Sequence, residues 1–137
     1  MNTDSAYGAL LLRVSLGVLF LAHAGLKIFV FTPAGTAGYF ESLGLPGGLA
    51  YLTMLAEVAG GLALIAGVYV RVVALALIPL LLGTIVLVHG ANGFWFNGKG
   101  GGWEFPALWA VALAVQALIG AGAFAVRLPA RNVAATA

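Results

Sequence analysis

Apolar residues run along this chain in four long blocks, separated by one tight break and two stretches rich in glycine, proline and aromatic side chains. The blocks predict helices over about Ala9–Phe31, Leu49–Val70, Val72–His89 and Phe105–Val126. Each reaches the roughly 17–25 residues that a helix needs to cross a bilayer. Thr32 to Gly48 forms the first loop, with a short interfacial helix expected over Thr36–Glu41, where Tyr39 and Phe40 suit the headgroup level. Arg71 marks a very short turn between the second and third blocks. Gly90 to Glu104 forms the second loop. It is glycine-rich but lacks Gly-Lys-Ser/Thr and follows no strand, so it is a poor phosphate loop and reads as a hinge. Small residues at Ala56, Ala59, Gly60, Gly61 and Ala63 make a surface suited to close helix contact. Pro79 and Gly83 lie inside the third block, which membrane helices tolerate when neighbours satisfy the freed backbone.

Composition settles the solvent. Of 137 residues, 63% are hydrophobic and 7% charged, with a mean hydropathy of +1.10. Soluble domains carry roughly 25% charged residues, so this chain cannot cover itself with a polar surface. It is expected to be an all-α integral membrane protein, a four-helix bundle forming a single transmembrane domain over residues 1–137, with the lipid bilayer as its first partner. A secretory signal ending at Ala22-His23-Ala24 is the rival reading of the first block, but the apolar run continues to Phe31. The chain has no cysteine and hence no thiol chemistry of its own. Six basic and four acidic residues, with no basic run, give no case for nucleic acid.

Charge also sets direction. Arg13, Arg71, Arg127 and Arg131 fall on the side of the chain ends, whereas Lys27 and Lys99 fall on the other side with Glu41 and Glu104. The positive-inside rule then places both termini in the cytoplasm and the two loops outside.

The first block carries Arg13, His23 and Lys27 among apolar neighbours. Ionisable groups within a membrane span are costly and mark candidate functional sites. His23 lies eight residues before Phe31, and Glu57 eight after Leu49. At about 1.5 Å per residue both sit roughly 12 Å below the outer edge. Lys27 is one turn above His23 on the same face. His89 and Glu104 belong to the same outer side. Snorkelling of Lys27 and Arg13, a purely structural Lys27–Glu57 bridge, and an interface belt of Phe94, Trp95, Phe96 and Trp103 are the plainer alternatives. Gln116 suits interhelical hydrogen bonding. Convergence at one depth favours a site, with His23, Glu57 and Lys27 as its catalytic candidates and Arg13, His89, Asn92, Trp95 and Glu104 as ligand contacts. No metal site is expected.

Several of these residues form an ordered series: Arg13-x-x-Leu16-Gly17-x-x-Phe20-x-x-His23-x-x-x-Lys27, Gly44-Leu45-Pro46, Glu57-x-x-Gly60-Gly61, His89 with Asn92-Gly93-Phe94, and Gly102-x-Glu104. From Arg13 to about Phe124 the series resembles the DoxX family. One departure is His23-Ala24-Gly25, where His-Gly is expected. The resemblance implies a bacterial inner-membrane protein of four helices. It also implies kinship with a small membrane subunit of a thiosulfate:quinone oxidoreductase, and so a quinone ligand and a partner oxidoreductase subunit or a homo-oligomer.

The first functional expectation is therefore a membrane oxidoreductase component that binds a quinone or similar redox carrier in the outer half. His23 and Glu57 would exchange protons, Lys27 or Arg13 would stabilise an oxyanion, and His89 and Glu104 would relay protons outward. A bis-histidine haem is disfavoured because the depths of His23 and His89 differ. A proton-coupled transporter and a non-catalytic scaffold subunit are the alternatives.

Overall fold

A computed structural model describes residues 2–126, and every described regular element is helical. Arg127 and Arg131, used above to orient the chain, lie outside the described residues. Helix α1 spans Thr3–Gly25 and continues as a π-helical turn over Leu26–Val30. Helix α2 is Pro33–Ser42 and α3 is Gly48–Ala66. Helix α4 is Val70–Thr84, continued by a π-helical turn over Ile85–His89 and a 3-10 turn over Gly90–Asn92. Helix α5 is Glu104–Ile119.

Helix α1 starts earlier than the hydropathy implies because the Asn2 side chain caps it, accepting from Ser5 N–H at 2.9 Å. The expected interfacial segment is a longer helix, because Thr32 caps Gly35 N–H and Pro33 occupies the first helical position. The break between the second and third blocks falls at Gly67–Tyr69, and Arg71 lies inside α4. Gly67, at φ 79°, ends α3 in a left-handed turn, with Val68 N–H reaching Ala63 O at 2.9 Å.

Three helical runs are long and apolar enough to cross a membrane: Thr3–Val30, Gly48–Ala66 and Val70–Asn92. The fourth predicted span is shorter than expected. Helix α5 stops at Ile119, where Gly120 adopts φ 84° and the Gln116 amide donates to Gly120 O at 2.6 Å. Its sixteen residues cover about 24 Å against a hydrocarbon layer of about 30 Å.

Helix α1 packs along α3, α3 on α4, α4 along α5, and α5 back on α1. Leu16 and Phe20 of α1, Leu64 of α3, Leu77 and Leu81 of α4, and Trp109 and Leu113 of α5 share one core. The approach of α1 to α3 is set by glycine: a Cβ on Gly17 would lie 2.6 Å from Gly61 O, and one on Gly61 would lie 2.9 Å from Gly17 O. On the face of α3 toward α4, a Cβ on Gly60 would lie 2.8 Å from Leu77.

Arg13 locks one end of this assembly. It is 1% exposed. Its Nε donates to Ala121 O at 2.8 Å, its Nη2 to Ala123 O at 2.9 Å, and its Nη1 to Leu64 O at 2.9 Å and to Ile65 O. Every helix leaves its last four carbonyls without an intrahelical partner. At the end of α3, Ala63 O is taken by Gly67 and Val68, Leu64 O and Ile65 O by Arg13, and Ala66 O by Val126 N–H. The single guanidinium thus joins α1, the end of α3 and the chain after α5.

Arg13→Ala is expected to cost about 3 kcal/mol or more, since each buried acceptor left unpaired costs roughly 1–3 kcal/mol. Arg13→Lys, which lacks the planar fork, should recover only part of the loss. The check is thermal unfolding of the detergent-solubilised protein. An unchanged midpoint in Arg13→Ala would remove the lock from this account.

Candidate functional site

At the end of α1 away from Arg13 the sequence places Lys27 in a π-helical turn, where Phe31 N–H bonds Leu26 O rather than Lys27 O. The Thr36 hydroxyl of α2 lies 3.1 Å from the freed Lys27 O and 2.9 Å from Thr32 O. The π turn thereby docks α2 beside α1. The second π turn ends on His89. Such turns arise where a helix is re-aimed, often at functional positions, and here both carry a basic residue of the candidate site.

Lys27 reaches across to α3, with its Nζ 2.7 Å from one Glu57 carboxylate oxygen and 3.0 Å from the other. The Glu57 side chain is 3% exposed and that of Lys27 is 21% exposed. This is the one ion pair among the described residues. Glu57 is thus fixed in the packed interior, while the ammonium stands at a boundary with one N–H left over.

That boundary is a cavity of about 1120 Å³. It lies where α3 and α4, in contact at Gly60 and Leu77, give way to open space toward the Lys27 end. Leu52 and Ala56 of α3, and Pro79 and Leu80 of α4 with Leu87 of the π-helical turn that continues it, make two apolar walls. Helix α2 contributes Thr36, Tyr39 and Phe40 to a third. His23, Lys27 and His89 join Thr36, Tyr39, Thr53 and Thr84 in its polar lining, and no carboxylate reaches it. A smaller cavity of about 90 Å³ lies among α1, α3, α4 and α5. Glu57 lines this smaller space, and His23, Lys27 and His89 line both.

The candidates therefore divide. His23, Lys27, Glu57 and His89 meet around the two cavities. The His23 ring lies 4.9 Å from the Trp109 ring, and His89 Nδ1 is 2.7 Å from Gly101 O. Arg13 stands fourteen positions from Lys27, about 21 Å of helical rise, with its guanidinium bonded to four backbone carbonyls. Asn92 serves the loop, its amide lying 2.9–3.1 Å from the carbonyls of Val88, Gly100 and Gly101. Glu104 accepts from Phe96 N–H at 2.9 Å. Trp95 is exposed and packs edge-on against Phe94. None of Arg13, Asn92, Trp95 and Glu104 lines either cavity.

The loop after Asn92 is not the hinge its glycines suggest. Gly102 N–H bonds Trp95 O, Trp103 N–H bonds Gly93 O, and Glu104 N–H bonds Phe94 O, closing it into a compact turn. Sequence reasoning also missed Thr36, Thr84 and Trp109. Nothing in the apolar pattern distinguishes them from ordinary span or interface residues. Tyr39 and Phe40, expected as headgroup anchors, line the large cavity.

The DoxX family model matches residues 8–90. The chain belongs to the DoxX family. It is 38% identical over 99 residues to a protein of Bacillus subtilis (strain 168) named "Putative oxidoreductase CatD", covering 72% of each chain. It is 35% identical over 94 residues to "Inner membrane protein YqjF" of Escherichia coli (strain K12), covering 65% of this chain and 71% of that one. No solved structure matches. As a DoxX protein with several apolar spans, the chain is a multi-pass protein of the bacterial inner membrane.

The ion pair has an asymmetry that stability measurements can detect. Lys27→Met leaves a buried carboxylate without its partner and is expected to cost about 3–5 kcal/mol. Glu57→Leu should cost less, because the partly exposed Lys27 can turn into the large cavity. The double variant should recover most of the larger loss. Unfolding in mixed micelles checks all three, and equal, additive single losses would contradict the asymmetry.

Proposed function

We propose that this DoxX protein is the membrane component of a quinone-linked oxidoreductase system and holds the head of a lipid-soluble quinone in the large cavity. The observation that carries the reading is an apolar cavity with a donor-rich, acid-free polar end, lined there by Lys27, His23 and His89. A ring with carbonyl acceptors and an isoprenoid tail matches that chemistry. An ammonium has three donors, and two face Glu57. Lys27 can offer the third to a ligand oxygen. A quinone supplies two-electron, two-proton redox chemistry when bound. His23 and His89 each offer a ring nitrogen that can donate to or accept from a ligand, and Glu57 keeps Lys27 in place. The chain holds no cysteine, so a partner oxidoreductase subunit is the electron donor or acceptor in this reading.

The same proposal includes a topology. Helices α1, α3, α4 and α5 form a four-helix membrane unit with both termini cytoplasmic. Arg13 and Arg71 are then near the inner face, and Lys27, His89 and the 93–103 turn near the outer face, in keeping with the positive-inside rule. The short α5 is accommodated by local thinning of the bilayer.

The test is native mass spectrometry with lipid extraction on protein purified gently from its own membrane. A quinone is expected at close to one per chain, lost when Ala56→Trp fills the cavity and weakened in His23→Phe. A quinone-free protein accompanied by a stoichiometric partner, with Ala56→Trp unaffected in assembly, would replace this reading with that of a scaffold.

A further inference from the structure

The small cavity is not explained by ligand binding, since the ion pair and its neighbours stand between it and the large one. About 90 Å³ is room for about three water molecules at roughly 30 Å³ each. An apolar void of this size stays dry, whereas a polar one fills when each water finds partners. The wall carries His23 and Lys27 from α1, Glu57 from α3, and Thr84 and His89 from α4. It also carries Trp109 of α5, which is 5% exposed and whose Nε1–H has no acceptor among the described residues. A buried indole N–H ordinarily finds a partner, and leaving it unmet is destabilising.

His89 gives the cavity a direction. Gly101 O can only accept, so His89 Nδ1, at 2.7 Å, carries the proton. The neutral ring then presents Nε2 as an acceptor. It can take up a proton there without giving up the bond that orients it. Beyond His89 lie Phe96, which is exposed, and Phe105. Glu104 is the carboxylate of that edge, held by Phe96 N–H.

We propose that the small cavity is a hydrated proton chamber, in which about three waters join Glu57 to His89 and so to the outer surface. The transfer is of protons alone: Lys27 passes one to the Glu57 carboxylate across their 2.7 Å contact, the carboxyl gives one to the chamber water, that water gives one to His89 Nε2, and a proton from the large-cavity side restores the Lys27 ammonium, so that Glu57 is again its paired anion. No electron moves, and the Nδ1–H bond to Gly101 persists. The use of this route by a redox ligand rests on the quinone reading, but its hydration does not.

The experiment follows the Trp109 indole. Protein with 15N-labelled tryptophan is placed in lipid nanodiscs, and exchange of each indole N–H with water is measured by NMR. The chain has three tryptophans. Trp109→Phe assigns the buried one, and the exposed Trp95 and Trp103 give the fast-exchange reference. A water cross-peak at Trp109 is expected in the unaltered protein. His89→Leu should slow the exchange roughly tenfold by confining it to rare openings. If His89→Leu does not fold, Phe96→Ala opens the edge and should speed the exchange. A Trp109 indole with no water cross-peak, as protected as core amides, overturns the chamber. Rates unchanged in folded His89→Leu or in Phe96→Ala overturn the route. Quinone retained beside a protected indole would sink the chamber and leave the ligand reading standing; an exchanging indole without quinone would do the reverse.

Discussion

A charge in the hydrocarbon layer has no water to turn to, so the protein must supply its partners, and helices α1 and α3 are arranged around that requirement. Arg13, midway along α1 but level with the end of α3, donates to the carbonyls that close α3. Lys27 at the other end grips the Glu57 carboxylate. Between the two, Gly17 and Gly61 let the helix backbones touch. Without the close glycine contact neither basic side chain could reach its acceptors. Without those acceptors neither could remain at its depth.

The two ends use the same economy in different ways. Arg13 is a planar fork fitted to four carbonyls at once and lines neither cavity. Lys27 is a point charge on a flexible stem, with one face on Glu57 and one on an apolar cavity. The first geometry closes the protein; the second leaves it able to interact. Helix α2 takes part because the π turn frees Lys27 O for Thr36, so the backbone irregularity that positions the cation also fixes a wall of the cavity.

Much of this was legible in the chain. The four apolar blocks, the depth match between His23 and Glu57, and the pairing of Lys27 with Glu57 follow from counting residues along helices, because rise per residue is constant. The ends of the elements were less legible. Asn2 and Thr32 extend helices by capping, and Gly120 cuts α5 short by turning its backbone left-handed. Hydropathy records none of these effects. Asn92 and Glu104 were grouped with the site because they share its level, yet their side chains are used by the 93–103 turn. Depth along a span is one coordinate, and it says nothing of the direction in which a side chain points.

The sequence by itself determined that the chain lives in a membrane, that its few charges must be paired, and which family it belongs to. Composition and periodicity suffice for those conclusions, because transfer of apolar surface and burial of charge are properties of residues. Only the tertiary structure decided that Arg13 bonds the carbonyls after α3 and α5 and lines neither cavity, that α2 lines the large cavity, and that Trp109 lines the small one beside His23 and Glu57. Those are facts about which helix faces meet, and they depend on contacts between residues as far apart as Arg13 and Ala123, which no local pattern encodes.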